Sequence, residues 1–311
     1  MIGTSDHPAD RAPFDPCARM LTGVLARRGP ARILGLWAGL ALLVSPAGAG
    51  VSVVGSLVRE FTLAPGGEAQ GRVLVRNRSD QPQVVRAYLT DFDPRAGGQG
   101  FPEAGTEVRS NSGWLFLLPA EQVLPPRTTG SVSVVLRVPE AAGMSGTYWS
   151  MLMIEGVSPD ELAPPATEEG RARVTVRERF RTGVRLTTHV TGGAAAAVSP
   201  SVRFAERELL TTAEGAALRL RLENDGTVGV QLRLWVEVFD HEGYSLGRYS
   251  PQMATMTLLP GGSGERHVSL ADLPPGTYDC LVIADNEDQN VFGARYQIEI
   301  APPAPPAPAL P

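Results

Sequence analysis

Arginine is the residue type in this sequence whose spacing points most directly to a function. All 28 basic residues are Arg and lysine does not occur, which excludes P-loop phosphate binding and Schiff-base chemistry. Within residues 171–190 many even positions carry apolar side chains, while Arg recurs at the odd positions 171, 173, 177, 179, 181 and 185. Since successive side chains of a strand point to opposite faces, this segment is predicted to be a long strand with one apolar face and one guanidinium face.

This strand allows two interpretations, and the sequence leaves both open. In the first, residues 171–190 form the last strand of a sheet, with the apolar face in the core and the Arg face in water. In the second, the strand lies at a sheet edge and adds to a strand of another protein through main-chain hydrogen bonds. The charged face would then prevent unspecific pairing of that edge.

The other polar residues do not form a catalytic or metal-binding pattern. His189, His241 and His267 each lack a second His at the spacing of a helical zinc site. The acidic clusters at 91–93 and 285–288 lack the Gly and the terminal Glu of an EF-hand loop, and we interpret them as solvated turns. We therefore expect a protein without enzymatic activity, without a metal site and without a cofactor.

The N-terminal residues have the order of a secretory signal. Three Arg between positions 27 and 32 precede an uncharged apolar run at 33–46, and Ala47–Ala49 supplies a small-residue cleavage site. The run is too short to span a bilayer comfortably. We predict a signal peptide over residues 1–49, cleaved near Ala49, and export to the periplasm or beyond. Whether translation starts at the first or the second methionine stays open.

Charge and cysteine content narrow the class of partner. The formal net charge of −5 argues against a nucleic-acid partner and leaves a protein partner as the expectation. Cys17 would leave with the signal peptide, so the mature chain would retain Cys280 and no internal disulfide. Cys280 lies in a strand-like stretch and is predicted to be a small core residue.

The residues after position 49 are predicted to form β-strands throughout. Short β-branched runs of alternating polarity are separated by turns, in keeping with the 34 Gly and 27 Pro of the chain. We predict an all-β fold with two immunoglobulin-like β-sandwich domains in tandem after the signal peptide. The expected domains are residues 50–190 and 191–300, followed by a Pro/Ala-rich tail at 301–311.

Three short motifs occur in the same order in both halves of the predicted mature chain. Each half has a strand that ends in Asn, then a Leu-Leu-Pro segment, then Gly-Thr-Tyr: these lie at Asn77, 117–119 and 146–148 in the first half and at Asn224, 258–260 and 276–278 in the second. This order is typical of an immunoglobulin-like Greek key. It places Tyr148 and Tyr278 where a tyrosine corner forms, with the hydroxyl bonded back to the main chain.

Within residues 51–190 the chain resembles the periplasmic chaperones of pilus assembly. Val75–Ser79 followed by Pro82 is similar to a strand–Asn–turn segment of that family, and Trp114–Pro119 is similar to its proline-terminated stretch. The long strand after the loop at 156–170 is similar to the last strand of the family's N-terminal domain. The resemblance implies two immunoglobulin-like domains set at an angle, with that last strand completing the fold of a pilus subunit.

The resemblance also implies a set of partner-binding residues. The apolar side chains donated to the subunit would be those of Val174, Val176 and Phe180. Members of the family hold the terminal carboxylate of the subunit with two basic residues in the cleft between the domains. The nearest candidates are Arg59 in the first strand and Arg181 or Arg185 in the long strand. The guanidinium fork suits a carboxylate because it donates two parallel hydrogen bonds.

Two functions are therefore expected. The first is that of an exported, chaperone-like protein that binds a β-rich partner by strand addition at residues 171–186 during the assembly of a surface structure. The second is that of a structural or adhesive immunoglobulin-like module of the cell envelope without a chaperone role. A weaker resemblance of Val123–Tyr148 to the turn-rich repeats of bacterial WxL-interacting surface proteins belongs with this alternative. The identity of the partner and the oligomeric state stay open.

Overall fold

The computed structural model describes residues 50–95, 100–141, 143–158, 180–192, 199–212, 214–287 and 290–302. The expected signal peptide, nearly all of the expected tail, and Val174 and Val176 lie outside these residues. Regular structure in the described ranges is β-strand, apart from one short 3-10 helix at Ser112–Trp114. None of these ranges contains a helix that is long and apolar enough to cross a membrane. The predicted all-β fold is confirmed.

The first half of the described chain forms two facing sheets. Its strands are β1 (Val51–Val54), β2 (Val58–Leu63), β3 (Glu68–Asn77), β4 (Gln83–Thr90), β5 (Leu115–Leu118), β6 (Glu121–Leu124), β7 (Thr129–Arg137), β8 (Gly146–Val157) and β9 (Arg181–Val190). One sheet has the order β1-β3-β7-β5, and the other has the order β2-β9-β8-β4-β6. Because β1 and β2 follow each other in the chain but lie in different sheets, the first strand segment switches between the two layers.

The second half forms two further sheets. Its strands are β10 (Val202–Thr212), β11 (Gly215–Asn224), β12 (Val230–Phe239), β13 (Ser245–Tyr249), β14 (Thr255–Leu258), β15 (Ser263–Ser269), β16 (Gly276–Asp285) and β17 (Val291–Ile300). One sheet has the order β10-β11-β15. The other has the order β13-β12-β16-β17, with β14 also paired to β12.

Alternating apolar residues give each half its own core. In β11, Leu218, Leu220 and Leu222 are buried while the residues between them are partly exposed, as expected for a strand with one face against a core. One apolar cluster joins residues from Val51 to Leu186, and a separate cluster joins residues from Leu218 to Ile300. The predicted pair of β-sandwiches is therefore confirmed. The domain boundary near residue 190 stays a prediction.

Cys280 is part of the second core, as predicted. Its side chain is fully buried within the cluster that β11, β12 and β16 share. Burial, together with the nearby negative charge of Asp279, raises the pKa of the Cys280 thiol to about 11. Since the thiolate is the nucleophilic form of cysteine, this residue contributes packing rather than reactivity.

The two strand-ending Asn side chains play the same structural role in both sandwiches. Asn77 donates from Nδ2 to the carbonyl of Leu124 (3.1 Å), and Asn224 donates from Nδ2 to the carbonyl of Leu258 (2.9 Å). Both side chains are fully buried. Leu124 in the first sandwich and Leu258 in the second therefore hold equivalent positions, since each accepts the hydrogen bond of the strand-ending Asn. The sequence-based pairing of 117–119 with 258–260 was wrong, because residues 117–119 end β5 at the far side of the sheet.

The tyrosine corner occurs in the second sandwich, whereas Tyr148 forms none with the described residues of the first. The hydroxyl of Tyr278 donates to the carbonyl of Pro274 at 2.6 Å, which confirms the prediction for this residue. The ring of Tyr148 lies instead 4.7 Å from the ring of Trp114, with the guanidinium of Arg109 5.4 Å from its centroid. The prediction for Tyr148 was wrong because its ring packs against the 3-10 helix rather than back toward the preceding loop.

Candidate functional site

The strand β9 is an interior strand along one part of its length and an edge along the other. On one side, β8 pairs antiparallel with all of Arg181–Val190. On the other side, β2 pairs in parallel with Arg185–Val190, and the amide of Arg185 donates to the carbonyl of Leu57 at 2.8 Å. No strand in the described ranges pairs with that side of Arg181–Val184. Among the described residues, β9 is therefore an interior strand over Arg185–Val190 and has one unpaired side over Arg181–Val184, while strand addition to a partner stays a prediction.

The two faces of β9 follow the predicted alternation from Arg181 to Leu186, whereas Thr187 on the odd-numbered face is buried as well. Val184 and Leu186 are fully buried in the first core, whereas Arg181 is exposed and Arg185 is half-buried. Phe180, which directly precedes the strand, is 51% exposed. A large apolar side chain is therefore exposed to solvent next to the unpaired side of Arg181–Val184, which we call the open edge. The other two expected donor residues, Val174 and Val176, lie outside the described residues.

Arg185 lies at a cavity that also involves the second sandwich. Both sandwiches belong to one compact unit of the chain. This cavity has a volume of about 260 Å³, and its lining includes Arg185, Thr187 and His189 from β9, Glu60 from β2, and residues 229–231 and 286–287 of the second half. The cleft between the sandwiches is thus lined by successive odd positions of β9.

Two polar atoms of this lining are buried without a partner. Nε of Arg185 and Oγ1 of Thr187 have no hydrogen-bond partner among the described residues, and Thr187 is 1% exposed. Burial lowers the pKa of Arg185, and the negative charge of Glu60 partly opposes this shift. Because buried polar groups are nearly always hydrogen-bonded, two unpartnered donors in one cavity favour a ligand with acceptor oxygens.

Arg185 also lines a second, larger cavity. Its volume is about 540 Å³, and it is lined by Arg185 together with Arg95, Arg221 and Arg266. Arg95 is paired with Asp93 at 3.0 Å, and Arg266 donates to main-chain carbonyls.

The charge of Arg221 is also compensated in this second cavity. Its Nε lies 3.5 Å from a carboxylate oxygen of Glu223, although without hydrogen-bond geometry. Among the described Arg side chains of the two cavities, Arg185 and Arg266 have no ion-pair partner. They differ because the Arg266 guanidinium donates to main-chain carbonyls, whereas Nε of Arg185 is buried without a hydrogen-bond partner.

The structure does not bring Arg59 and Arg185 together. In the parallel register of β2 and β9, Arg59 pairs with Leu186, whereas Glu60 pairs with Thr187. Register partners share a face of the sheet, so Glu60 rather than Arg59 lies on the cleft face with Arg185. Arg59 donates to the carbonyl of its neighbour Val58 at 3.3 Å.

Arg181 is placed differently from Arg185. It pairs in register with Glu155 at the exposed start of β9, and it does not line either cavity at Arg185. Of the three Arg candidates for a carboxylate site, Arg185 is the one that lines the cleft, and Arg59 and Arg181 do not.

Sequence reasoning missed Thr147, which connects the two sandwiches. The Thr147 amide donates to the carbonyl of Thr227 at 2.9 Å, and its hydroxyl accepts from the amide of Gly229 at 2.8 Å. The same hydroxyl lies 3.0 Å from Nδ1 of His189. The Gly-Thr-Tyr motif was the available signal, but its tyrosine was singled out instead of its threonine.

Gly146 is a position at which the main chains of the two sandwiches lie close together. Its φ is +92°, a left-handed conformation that glycine adopts at little cost. A Cβ at this position would collide with the carbonyl oxygen of Thr227. The glycine therefore permits the contact that Thr147 then makes.

The acidic cluster at 91–93 is not a solvated turn throughout, contrary to our interpretation. Asp91 is fully buried, and its carboxylate accepts from the amide of Glu107 (2.8 Å) and the hydroxyl of Ser110 (2.5 Å). It thereby fixes the loop that leads to the 3-10 helix. No group of His, Cys, Asp or Glu within the described part of the chain is arranged to hold a metal ion.

Comparisons with known proteins find similarity among solved structures. No protein family model and no curated protein sequence matches the chain. The YadV chaperone has a TM-score of 0.41 and 10% identity over 80% of this chain and 100% of that chain. The class 5 fimbriae chaperone CfaA has a TM-score of 0.40 and 11% identity over 82% of this chain and 100% of that chain.

A third similar structure is a chaperone–tip adhesion subunit complex. A chain of this CsuC–CsuE complex from Acinetobacter baumannii has a TM-score of 0.39 and 12% identity, over 75% of this chain and 94% of that chain. The expected resemblance to periplasmic chaperones of pilus assembly is therefore found among solved structures.

Proposed function

We propose that this protein is an exported, non-enzymatic chaperone-like binder that holds a β-rich partner by strand addition during the assembly of a surface structure. The observation that carries the proposal is the one-sided pairing of Arg181–Val184, next to a cleft with an unpaired cation. An open sheet edge presents main-chain donors and acceptors that a partner strand satisfies. The proposed place of action is the periplasm, as the order of residues in the expected signal peptide suggests.

The length of the open edge limits what main-chain bonding contributes. A main-chain hydrogen bond adds about 0.5–1.5 kcal/mol net, and Arg181–Val184 offers room for few of them. Specific capture therefore needs side-chain anchors at both ends of the edge. Phe180, half-exposed at one end, offers apolar surface, and Arg185, half-buried at the other end, offers charge.

The end of the open edge favours a chain terminus as ligand. A strand added beside Arg181–Val184 cannot continue past Arg185, because the Leu57 carbonyl already binds the Arg185 amide at 2.8 Å. A partner strand that runs parallel to β9 would therefore end at the cleft. The terminal carboxylate of that strand would accept hydrogen bonds from the guanidinium of Arg185 and from the hydroxyl of Thr187. Both of these buried groups would then have a hydrogen-bond partner.

The proposal is tested by photo-crosslinking in the native envelope. A photoreactive phenylalanine analogue replaces Phe180 in one protein and, as the control, Val291, which is 63% exposed on β17. We expect one discrete crosslinked protein from position 180 and none from position 291. The same crosslink should be lost when the change Arg185→Ala is added.

The alternative function makes the opposite forecast. A structural or adhesive module would need no ligand at Arg181–Val184, so position 180 would give no discrete product. Crosslinking that Arg185→Ala leaves unchanged would also contradict the proposed anchor. Circular dichroism of each variant checks that the protein is folded.

A further inference from the structure

His189 is the third odd-numbered residue of β9 at the cleft. Together with Arg185 and Thr187 it lines the cavity of about 260 Å³. Its Nδ1 lies 3.0 Å from the hydroxyl of Thr147. Because that hydroxyl already accepts from the amide of Gly229 at 2.8 Å, its own proton is available for donation to Nδ1. This contact suits a neutral imidazole that accepts at Nδ1 and carries its proton on Nε2.

The charges around His189 come from several elements. Glu60 on β2 and Arg185 on β9 line the same cavity. The guanidinium of Arg109 donates to the Thr147 carbonyl at 3.3 Å on the β8 side. Glu287, from the second sandwich, also lines the cavity, but it is ion-paired with Arg233 at 2.7 Å. Glu60 is therefore the acidic group of the lining without an ion-pair partner of its own.

These surroundings favour the uncharged form of the His189 imidazole. Burial lowers the pKa of His189, the positive charge of Arg185 lowers it further, and Glu60 opposes both effects. An anion bound at Arg185 would change this balance, since it would cancel the repulsion from the guanidinium and attract a proton to the ring. The hydroxyl of Thr147 has a second lone pair, so a protonated Nδ1 can donate to it without loss of the contact to Gly229.

We infer that His189 is a second cationic residue of the cleft and that a carboxylate bound at Arg185 brings one proton onto its imidazole. This inference rests on the proposed function and adds the regulation of the same site. The bound anion raises the proton affinity of the ring, so binding is strengthened below the pKa of the free protein and weakened as the pH rises through the pKa of the complex. The affinity for the partner would then rise as the pH of the surroundings falls.

The probe for this inference is a pair of synthetic peptides. Each is an acetylated hexapeptide of alternating valine and threonine; one has a free terminal carboxyl group and the other a terminal amide. Titration calorimetry is carried out at about pH 5.5 and about pH 7.5, on either side of the ordinary histidine pKa. The carboxylate peptide is expected to bind about three- to tenfold more tightly at the lower pH, with proton uptake detected in buffers of different ionisation enthalpy.

Two variants separate His189 from other histidines. His189→Gln keeps an acceptor for the Thr147 hydroxyl, and it should abolish the pH dependence and the proton uptake while retaining affinity at the higher pH. His241→Gln is the control, because the His241 side chain is 84% exposed on the second sandwich. Histidine NMR should show an upward shift of the His189 pKa when the carboxylate peptide is added.

The outcomes distinguish the inference from the function on which it rests. Preferential binding of the carboxylate peptide with no pH dependence would overturn the role of His189 and leave the proposed function standing. A pH dependence that persists in His189→Gln would overturn it as well. If neither peptide binds at either pH, the proposed anchor at Arg185 fails, and the inference fails with it.

Discussion

At the scale of single residues, a few buried polar side chains hold the loops of both sandwiches. Asn77 and Asn224 each cross from a strand end to a carbonyl on a distant segment. In addition, Oδ1 of Asn77 accepts from the amide of Ser79, and Oδ1 of Asn224 accepts from the amide of Gly226, both at 2.9 Å. Each side chain therefore closes its own turn and ties that turn to a second loop.

Replacing Asn224 is expected to destabilise the protein strongly. Asn224→Ala leaves the carbonyls of Val228 and Leu258 and the amide of Gly226 without this partner. Unsatisfied buried polar groups cost about 1–3 kcal/mol each, so we expect a loss of about 2–4 kcal/mol in urea unfolding. Asn286→Ala, at an exposed bond, is the control and should change stability by less than about 0.5 kcal/mol.

The two tyrosines of the repeated motif should respond differently to loss of the hydroxyl. Tyr278→Phe removes the bond to the Pro274 carbonyl and should cost about 1 kcal/mol. Tyr148→Phe keeps the ring contact with Trp114 and should leave the free energy of unfolding nearly unchanged. Equal losses in thermal or urea unfolding would contradict the assignment of the corner to Tyr278.

The Thr147 hydroxyl is expected to stabilise the junction of the sandwiches. Thr147→Val preserves the shape of the side chain but leaves the Gly229 amide without its acceptor, at a cost of about 1–3 kcal/mol. Thr147→Ser keeps the hydroxyl and is the matched control. Hydrogen exchange should show faster exchange at Gly229 in the valine variant, and unchanged exchange there would refute the contact.

At the scale of elements, the short pairing of β2 divides β9 into a core part and an edge part. The switch of the chain between sheets near Gly55 lets β1 pair with β3 and β2 pair with β9. Gly55 has a φ of +95°, which suits glycine. Because β2 begins its pairing only at Arg185, one side of Arg181–Val184 has no partner strand in the part of the chain that the structure describes.

The division of β9 predicts opposite effects of a charge at two nearby positions. Phe180→Asp alters a half-exposed side chain and should change the free energy of unfolding by less than about 0.5 kcal/mol. Val184→Asp places a carboxylate in the first core and should cost at least about 3 kcal/mol or abolish folding. Strong destabilisation by Phe180→Asp would show that the start of β9 is part of the core.

Sequence reasoning reached the strands more readily than the contacts between them. The alternation around Val184 and Leu186 and the two strand-ending Asn were visible as local patterns, and both were found in the structure. The placement of Arg59 was not visible, because it depends on the register of β2 against β9. The role of Thr147 was not visible either, because it depends on a contact with the other sandwich.

At the scale of the whole molecule, two separate cores meet at a polar junction. The apolar clusters of the halves share no residue, whereas the contacts at the junction are hydrogen bonds around Thr147 and the lining of two cavities at Arg185. Each half can therefore bury its own apolar surface. The junction places Arg185, Thr187 and His189 around one cavity.

The close approach at Gly146 should govern this junction. Gly146→Ala strains a backbone at φ +92° and collides with the Thr227 carbonyl, so the two sandwiches would be forced apart. We expect a loss of about 2–4 kcal/mol in urea unfolding and weaker binding of the carboxylate peptide. Gly192→Ala, which also replaces a glycine of positive φ but meets no neighbour, is the control for backbone strain alone.

The most direct test of the central claim is hydrogen–deuterium exchange of the main chain with and without the partner. The protein is purified alone and in complex with the product found by crosslinking at position 180. We predict strong protection of Arg181–Val184 in the complex, while the already paired residues Arg185–Val190 change little. A complex that protects other surfaces and leaves exchange at Arg181–Val184 unchanged would contradict strand addition at β9.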